Sequence, residues 1–335
     1  DVYNVAVGHN AGQQVTTGIQ NTIVGGLAGD ALTDADMNVA VGYAALSVDT
    51  KGSESTAIGR GALANQNFTT STDSHNTAVG HSAGQQMTTG IQNVLLGSNA
   101  GLQLTDADQN VAIGHAALTS DTLGSKSIAI GREALVTQNF TTATDVYNVA
   151  VGHNAGQAVT TGKENTLIGG LAGDALTTGS NNVAVGFEAL STEDAHGNNV
   201  AIGNRALKTL NAGATGLNVA VGDDAGLSMT TGVRNTLIGA LTGDALTSGN
   251  NNTALGFNAL AADTLGDRAV AIGVDALAAQ NFTTTTDNYN IGIGFQAGAA
   301  VTTGVNNTLI GGTAGQGLTT GGENVAVGYG ALYTD

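Results

Sequence analysis

The chain has 335 residues, with 51 glycines, no proline, cysteine or tryptophan, and 4% aromatic residues. That excludes an ordinary globular interior built on large aromatic side chains and points to a narrow one of Val, Ile, Leu and Ala. Lys and Arg total 9 against 26 Asp and Glu, a formal charge of −17 that repels a phosphate backbone and excludes nucleic acid as a partner. No apolar run approaches the ~20 residues of a membrane span, so no membrane insertion is expected in this segment. Residues 1–30 lack a signal-peptide pattern, so any export signal is expected outside the segment.

In chain order, the first unit opens at Asn4 with Asn-Val-Ala-Val-Gly and closes on the turn Thr16-Thr17-Gly18; the next open at Asn21, Asn38 and Ser55. The pattern restarts at Asn76, Asn93, Asn110 and Ser127, then at Asn148, Asn165, Asn182 and Asn199. It continues at Asn218, Asn235, Asn252 and Ala269, and ends with Asn290, Asn307 and Asn324. The 19 units are 17 residues apart, except that every fourth step is 21, 21, 19 and 21 residues, so a set of four units spans about 72 residues. Self-similarity at a fixed short period is the mark of a repeat architecture.

Comparing the 19 copies position by position separates the sites. The third residue after each start is always Val, Ile or Leu, as at Val7, Val24 and Ile58, and is expected to face the interior. The residue two before it is Val, Ile or Thr and shares that face by strand alternation. The site between them is usually Ala, expected on the outer face. It becomes Ile23, Leu95, Leu167, Leu237 and Leu309 in the second unit of each set, and these five are expected as periodic inter-chain contacts. The following glycine is constant, and the place after it varies freely, from His9 and Gly26 to Tyr43 and Arg60, as solvent allows. Recurrent Gly, Asn and β-branched residues argue against helix. Strands of about five residues joined by tight turns fit better, giving an all-β parallel β-solenoid of about 17-residue coils with Asn stacked on Asn. At about 4.8 Å per coil, 19 coils would reach about 90 Å. The expected organisation is one continuous solenoid over residues 1–335, a piece of a longer polypeptide because neither end carries a distinctive cap.

The runs Asn-Val-Ala-Val-Gly, Ser127-Ile-Ala-Ile-Gly131 and Asn252-Thr-Ala-Leu-Gly256 resemble the head repeats of YadA-type trimeric autotransporter adhesins. They resemble equally the Asn-Thr-Ala-(Val/Ile)-Gly-Tyr-x-Ala-Leu repeats of phage tail-fibre proteins. The resemblance implies a left-handed β-roll, a homotrimer or filament of the chain with itself, and attachment to a host or cell-surface receptor, glycans among the candidates, on a cell surface or virion. The 17-residue unit is longer than the adhesin coil, and the insertion after every fourth unit is a further departure.

Few residues stand out as candidate sites. The glycine clusters Gly25-Gly26 and Gly169-Gly170 have no helix to follow them and are expected in turns and packing rather than at a phosphate. His9, His81 and His153 share one place that becomes Asp223 and Phe295 in later sets, as surface positions do. Asp34, Asp36, Asp106 and Asp108 form acidic turns able to offer oxygen ligands to Ca²⁺, but the later turns lose the acids, so a solvated turn is the expectation and no cofactor is expected. No nucleophile, base and pocket set recurs, so an enzyme is not expected. The insertions Asn67–Asp73, Asn139–Asp145 and Asn281–Asp287 carry Phe68, Phe140 and Phe282, expected either to clamp the coils or a neighbouring chain or to touch a receptor. The expected function is a structural, adhesive, extracellular fibre segment. The alternative is a monomeric ice- or polysaccharide-binding solenoid using the pairs Thr16-Thr17, Thr88-Thr89, Thr160-Thr161, Thr230-Thr231 and Thr302-Thr303.

Overall fold

The computed structural model describes residues 3–334. The chain is an all-β parallel β-solenoid with no helix among the described residues. It divides into two compact units, Asp1–Glu164 and Asn165–Asp335. Nine three-residue strands stack in the first, from Val5–Val7 to Val149–Val151, and ten in the second, from Thr166–Ile168 to Val325–Val327. Each is one coil of the repeat. Pairing within a unit is parallel and in register, with Val5 opposite Thr22 and Val183 opposite Val200. Across a 21-residue step the register holds, with Ile58 opposite Val79. The extra residues therefore leave the ladder undisturbed and form their own short parallel pairs: Gly52–Ser53 with Thr72–Asp73, Gly124–Ser125 with Thr144–Asp145, and Gly266–Asp267 with Thr286–Asp287.

The strands have three residues rather than the expected five because a left-handed residue brackets each end. Before the ladder Asn stand residues such as Gln20 at φ 61 and Met37 at φ 57, and after the strand stands the constant glycine, at φ 132 in Gly42 and Gly59. A Cβ on Gly59 would lie 2.3 Å from the carbonyl oxygen of Gly80 in the next coil. Only glycine satisfies both the angle and the contact.

The strand faces are the reverse of the sequence expectation. The middle residue is inside, with Ala40, Ala57, Ala78 and Ala112 fully buried, whereas the flanking Val, Ile and Thr are half-buried or exposed. The interior is only one large side chain deep. In the third and fourth coils of a set, Leu46, Leu63 and their equivalents enter it from the opposite wall, leaving room for Ala. At Gly292, which holds the Ala place, an added Cβ would already lie 2.8 Å from Leu277 Cγ. In the first and second coils that opposite place is Gly, and the large strand residue of the second coil fills both gaps. A Cβ on Gly84 would lie 2.7 Å from Leu95 Cδ1, and one on Gly101 2.7 Å from Leu95 Cδ2. Bulk on one wall is matched by its absence on the other, as close packing requires.

A buried polar ladder runs beside this core, with Asn above Asn as expected. The Asn21 N–H donates to Asn4 Oδ1 at 2.8 Å and the Asn38 N–H to Asn21 Oδ1 at 2.9 Å. Each carboxamide also donates to a turn carbonyl, Asn21 Nδ2 to Ala35 O at 2.7 Å and Asn38 Nδ2 to Gly52 O at 2.9 Å. These bonds allow a polar side chain to sit in the interior of every coil that has one.

Candidate interaction surface

The residues one and three places after each start form two parallel columns on the outside of the strands. Neither column holds a charged residue in any of the 19 units, and the second is always Val, Ile or Leu, although it meets solvent: Ile58 is 38% exposed, Ile202 38% and Leu255 44%. Each unit thus presents a contiguous, mostly β-branched sheet face free of acids in a chain whose acids outnumber its bases. Sequence reading missed it because the invariant column was assigned to the core.

Ile23, Leu95, Leu167, Leu237 and Leu309, expected as inter-chain contacts, are 1% exposed or less inside their own coils. This is a correction with a packing cause: they occupy the space above the glycine pairs, and no second chain can reach them. Phe68, Phe140 and Phe282 are 6–7% exposed, so they cover the coils of their own chain and are not free to touch a receptor. A Cβ on Gly52 would lie 2.7 Å from Phe68 Cδ2, which places the ring edge against that glycine.

The insertions are held by buried carboxylates that the sequence reading did not single out. Asp49 Oδ1 accepts from the Gly52 and Phe68 amides, both at 3.0 Å, while its Oδ2 accepts from Gln66 Nε2 at 2.7 Å. Gln66 Oε1 in turn accepts from Asn76 Nδ2 at 2.9 Å, spanning the gap in the Asn ladder left by Ser55. Asp121 with Gln138, and Asp263 with Gln280, repeat the arrangement. In the 19-residue step the set changes together: Glu193 replaces the Asp, Leu210 the Gln and Ala212 the Phe, and Asn199 restores the ladder. There Glu193 Oε2 accepts from the Ala212 amide at 3.0 Å. The recurrence of an acid eleven places into the third unit of each of the first four sets was the available signal. Burial pushes the Asp263 carboxyl up, against the opposing hydrogen bonds from Gln280 and from the Phe282 and Gly266 amides.

The acidic turns bond to the preceding coil of the same chain. Asp34 Oδ1 and Asp106 Oδ1 each accept from a threonine hydroxyl at 2.6 Å, and Asp36 Oδ1 and Asp108 Oδ1 each accept from a backbone amide at 2.8 Å. These acids do not come together: among the described residues the one grouping with metal-ligand spacing is Glu193, Asp194 and His196, whose Glu193 already accepts from the His196 and Ala212 amides. His9, His81 and His153 are exposed. The threonine rows extend further than the pairs suggest, since Thr16 stacks on Thr33 and Thr33 on Thr50, but each hydroxyl donates to a carbonyl of the next coil, at 3.1 Å and 3.0 Å. Gly26 and Gly170 lie beneath aromatic rings of the next coil, where an added Cβ would be 3.6 Å from Tyr43 and 3.5 Å from Phe187. No helix is long and apolar enough to cross a membrane among the described residues. Neither a protein-family model nor a curated protein matches the sequence.

Proposed function

We propose that the chain is a non-enzymatic structural segment of an extracellular fibre, self-associated through its outer strand face, that spaces or mediates attachment at a cell surface or virion. The observation that carries this reading is the uncharged double column of Val, Ile, Leu and Thr along each unit. An apolar strip of this kind is an interaction site or a liability. Its features recur at the coil spacing, about 4.8 Å, over unit after unit. A second copy of the chain offers the same spacing and the same uncharged surface, so it fits where a protein of another period would fall out of step. The resemblance to adhesin and tail-fibre repeats adds the number three and the attachment role.

Sedimentation of the purified chain tests it. The parent is expected as three chains, and Ile113→Asp with Ile130→Asp as one, since both side chains are half-buried on the outer face and a charge there stays solvated in the monomer. A parent that sediments as one chain at high micromolar concentration removes the self-association reading.

A further inference from the structure

The first set of four coils lacks a bridge between coils that the next three sets make. Six residues after the start of the fourth coil stand Glu133, Arg205 and Asp275 in the later sets, but Gly61 in the first. The three side chains reach into the next coil: Glu133 Oε2 accepts from Gln157 Nε2 at 3.3 Å, Arg205 Nη2 donates to Asp224 Oδ2 at 2.6 Å, and Asp275 Oδ2 accepts from Gln296 Nε2 at 3.5 Å. Gly61 makes no such bridge. The side chains that would receive it, Ser82 and Gln85, consequently have no hydrogen-bond partner.

A depression of about 110 Å³ opens there, floored by Ala44, Gly61 and Ala64 and walled by Tyr43, Arg60, Ser82 and Gln85. Tyr43 is 55% exposed, and its ring rests on Gly26 of the preceding coil, which has no side chain to lift it. Arg60 has no acidic partner; its Nη1 lies 3.1 Å from His81 Nε2. Gln85 also lines a second, wider depression of about 410 Å³ with Gln86, Leu102, Gln103, Thr105 and Thr122.

We propose that this pair of depressions binds a glycan, one pyranose ring stacking on Tyr43 while the chain continues across Gln85 into the wider depression. A sugar ring offers an apolar C–H face and a rim of hydroxyls, and the site offers one supported aromatic face beside unpaired donors and acceptors. A few placed polar groups around an aromatic surface are what orients a small ligand. The lining is too polar for a lipid chain, and the chain's charge of −17 disfavours polyanions such as nucleic acids. Arg60 would meet hydroxyls or a single carboxylate of a uronic acid. The idea rests on the attachment reading only for its biological setting, because the site lies off the outer strand columns.

A printed array of neutral and uronate-containing oligosaccharides, probed with the full chain, tests this. Two variants accompany it. Tyr43→Ala removes the platform. Gly61→Glu closes the depression with the residue the repeat itself uses at Glu133, where φ is 56 against 67 at Gly61, so the coil accepts it. The parent is expected to bind a subset of the array, and each variant to lose at least tenfold in affinity with its circular dichroism and sedimentation unchanged. An array without binding, or variants that bind as the parent does, overturns the proposal. Self-association is read from sedimentation alone, so either idea can fail without the other.

Discussion

Glycine stands four places after each start because two constraints meet on one atom. Gly114 has φ 133, and a Cβ there would lie 2.5 Å from the Gly131 carbonyl oxygen in the next coil. Gly114→Ala therefore has to push adjacent coils apart as well as strain its backbone, and is expected to cost about 3 kcal/mol or more, read from the denaturation midpoint at unchanged slope. Gly213 supplies the contrast: φ is 66 but nothing lies within 4 Å. Gly213→Ala meets only the left-handed penalty, about 1 kcal/mol. Equal losses at the two sites would mean that backbone preference, rather than coil stacking, selects glycine. The same balance explains Leu46 at φ 52 and Leu63 at φ 48. The left-handed conformation costs about 1–2 kcal/mol, and burying a Leu side chain contributes about 1.5–3 kcal/mol, so the core contact prevails.

The insertion after every fourth coil is an element organised around one carboxylate rather than a loose loop. Asp121 accepts from the Gly124 and Phe140 amides through one oxygen and from Gln138 Nε2 through the other, and Gln138 Oε1 accepts from Asn148 Nδ2. Asp121→Ala strands these buried donors and is expected to cost about 3 kcal/mol or more. Asp121→Asn keeps the oxygen that serves the two amides. Its new NH₂ must face Gln138, and if that amide turns over, its own NH₂ faces Asn148. One mismatch survives either way, for an expected cost of about 1–2 kcal/mol. Thermal unfolding of the two variants ranks them; an Asn variant as damaging as the Ala variant would refute the relay. Strand position and coil spacing are legible in the sequence because the Asn and Gly constraints act on single residues at a fixed period. Which strand face is inside is not legible from the strand. Alternation gives two faces, and hydrophobicity sends Val and Ile inward and Ala outward. The deciding fact lies six places beyond the middle strand residue, where Gly12, Gly29, Leu46 and Leu63 show how much of the interior the opposite wall already fills. The carboxylates were hidden for a similar reason: Asp49, Asp121 and Asp263 look like turn acids until Gln66, Gln138 and Gln280 close over them.

Across the molecule, charge is kept off the outer strand columns, and some of it is held where ionisation is resisted. Burial is the largest cause raising the carboxyls of Asp174, Asp244 and Asp263, with Glu188 adding at the first and Asp224 at the second. All three belong to the second unit. Because their folded values exceed the ordinary 3.8, the folded state takes up protons first as pH falls. Between the raised values and 3.8 it holds more protons than the unfolded chain, so stability rises as pH falls through that window and stops rising below it. Asp145 acts in the opposite sense, since its hydrogen bond from Lys126 holds it below the ordinary value; being exposed, it makes a small contribution, lost only at pH lower still. The expected result is a Tm that increases as pH falls from neutrality towards the ordinary carboxylate value, with a smaller increase in Asp263→Asn, which cannot titrate. Lower negative charge in the same range weakens repulsion between copies, while the outer strand face carries nothing to titrate, so sedimentation should show association strengthening with the same sign. A Tm that does not rise over that range would show that these carboxylates are ionised as easily in the fold as in water, and association that weakens would place titrating groups in the contact between copies.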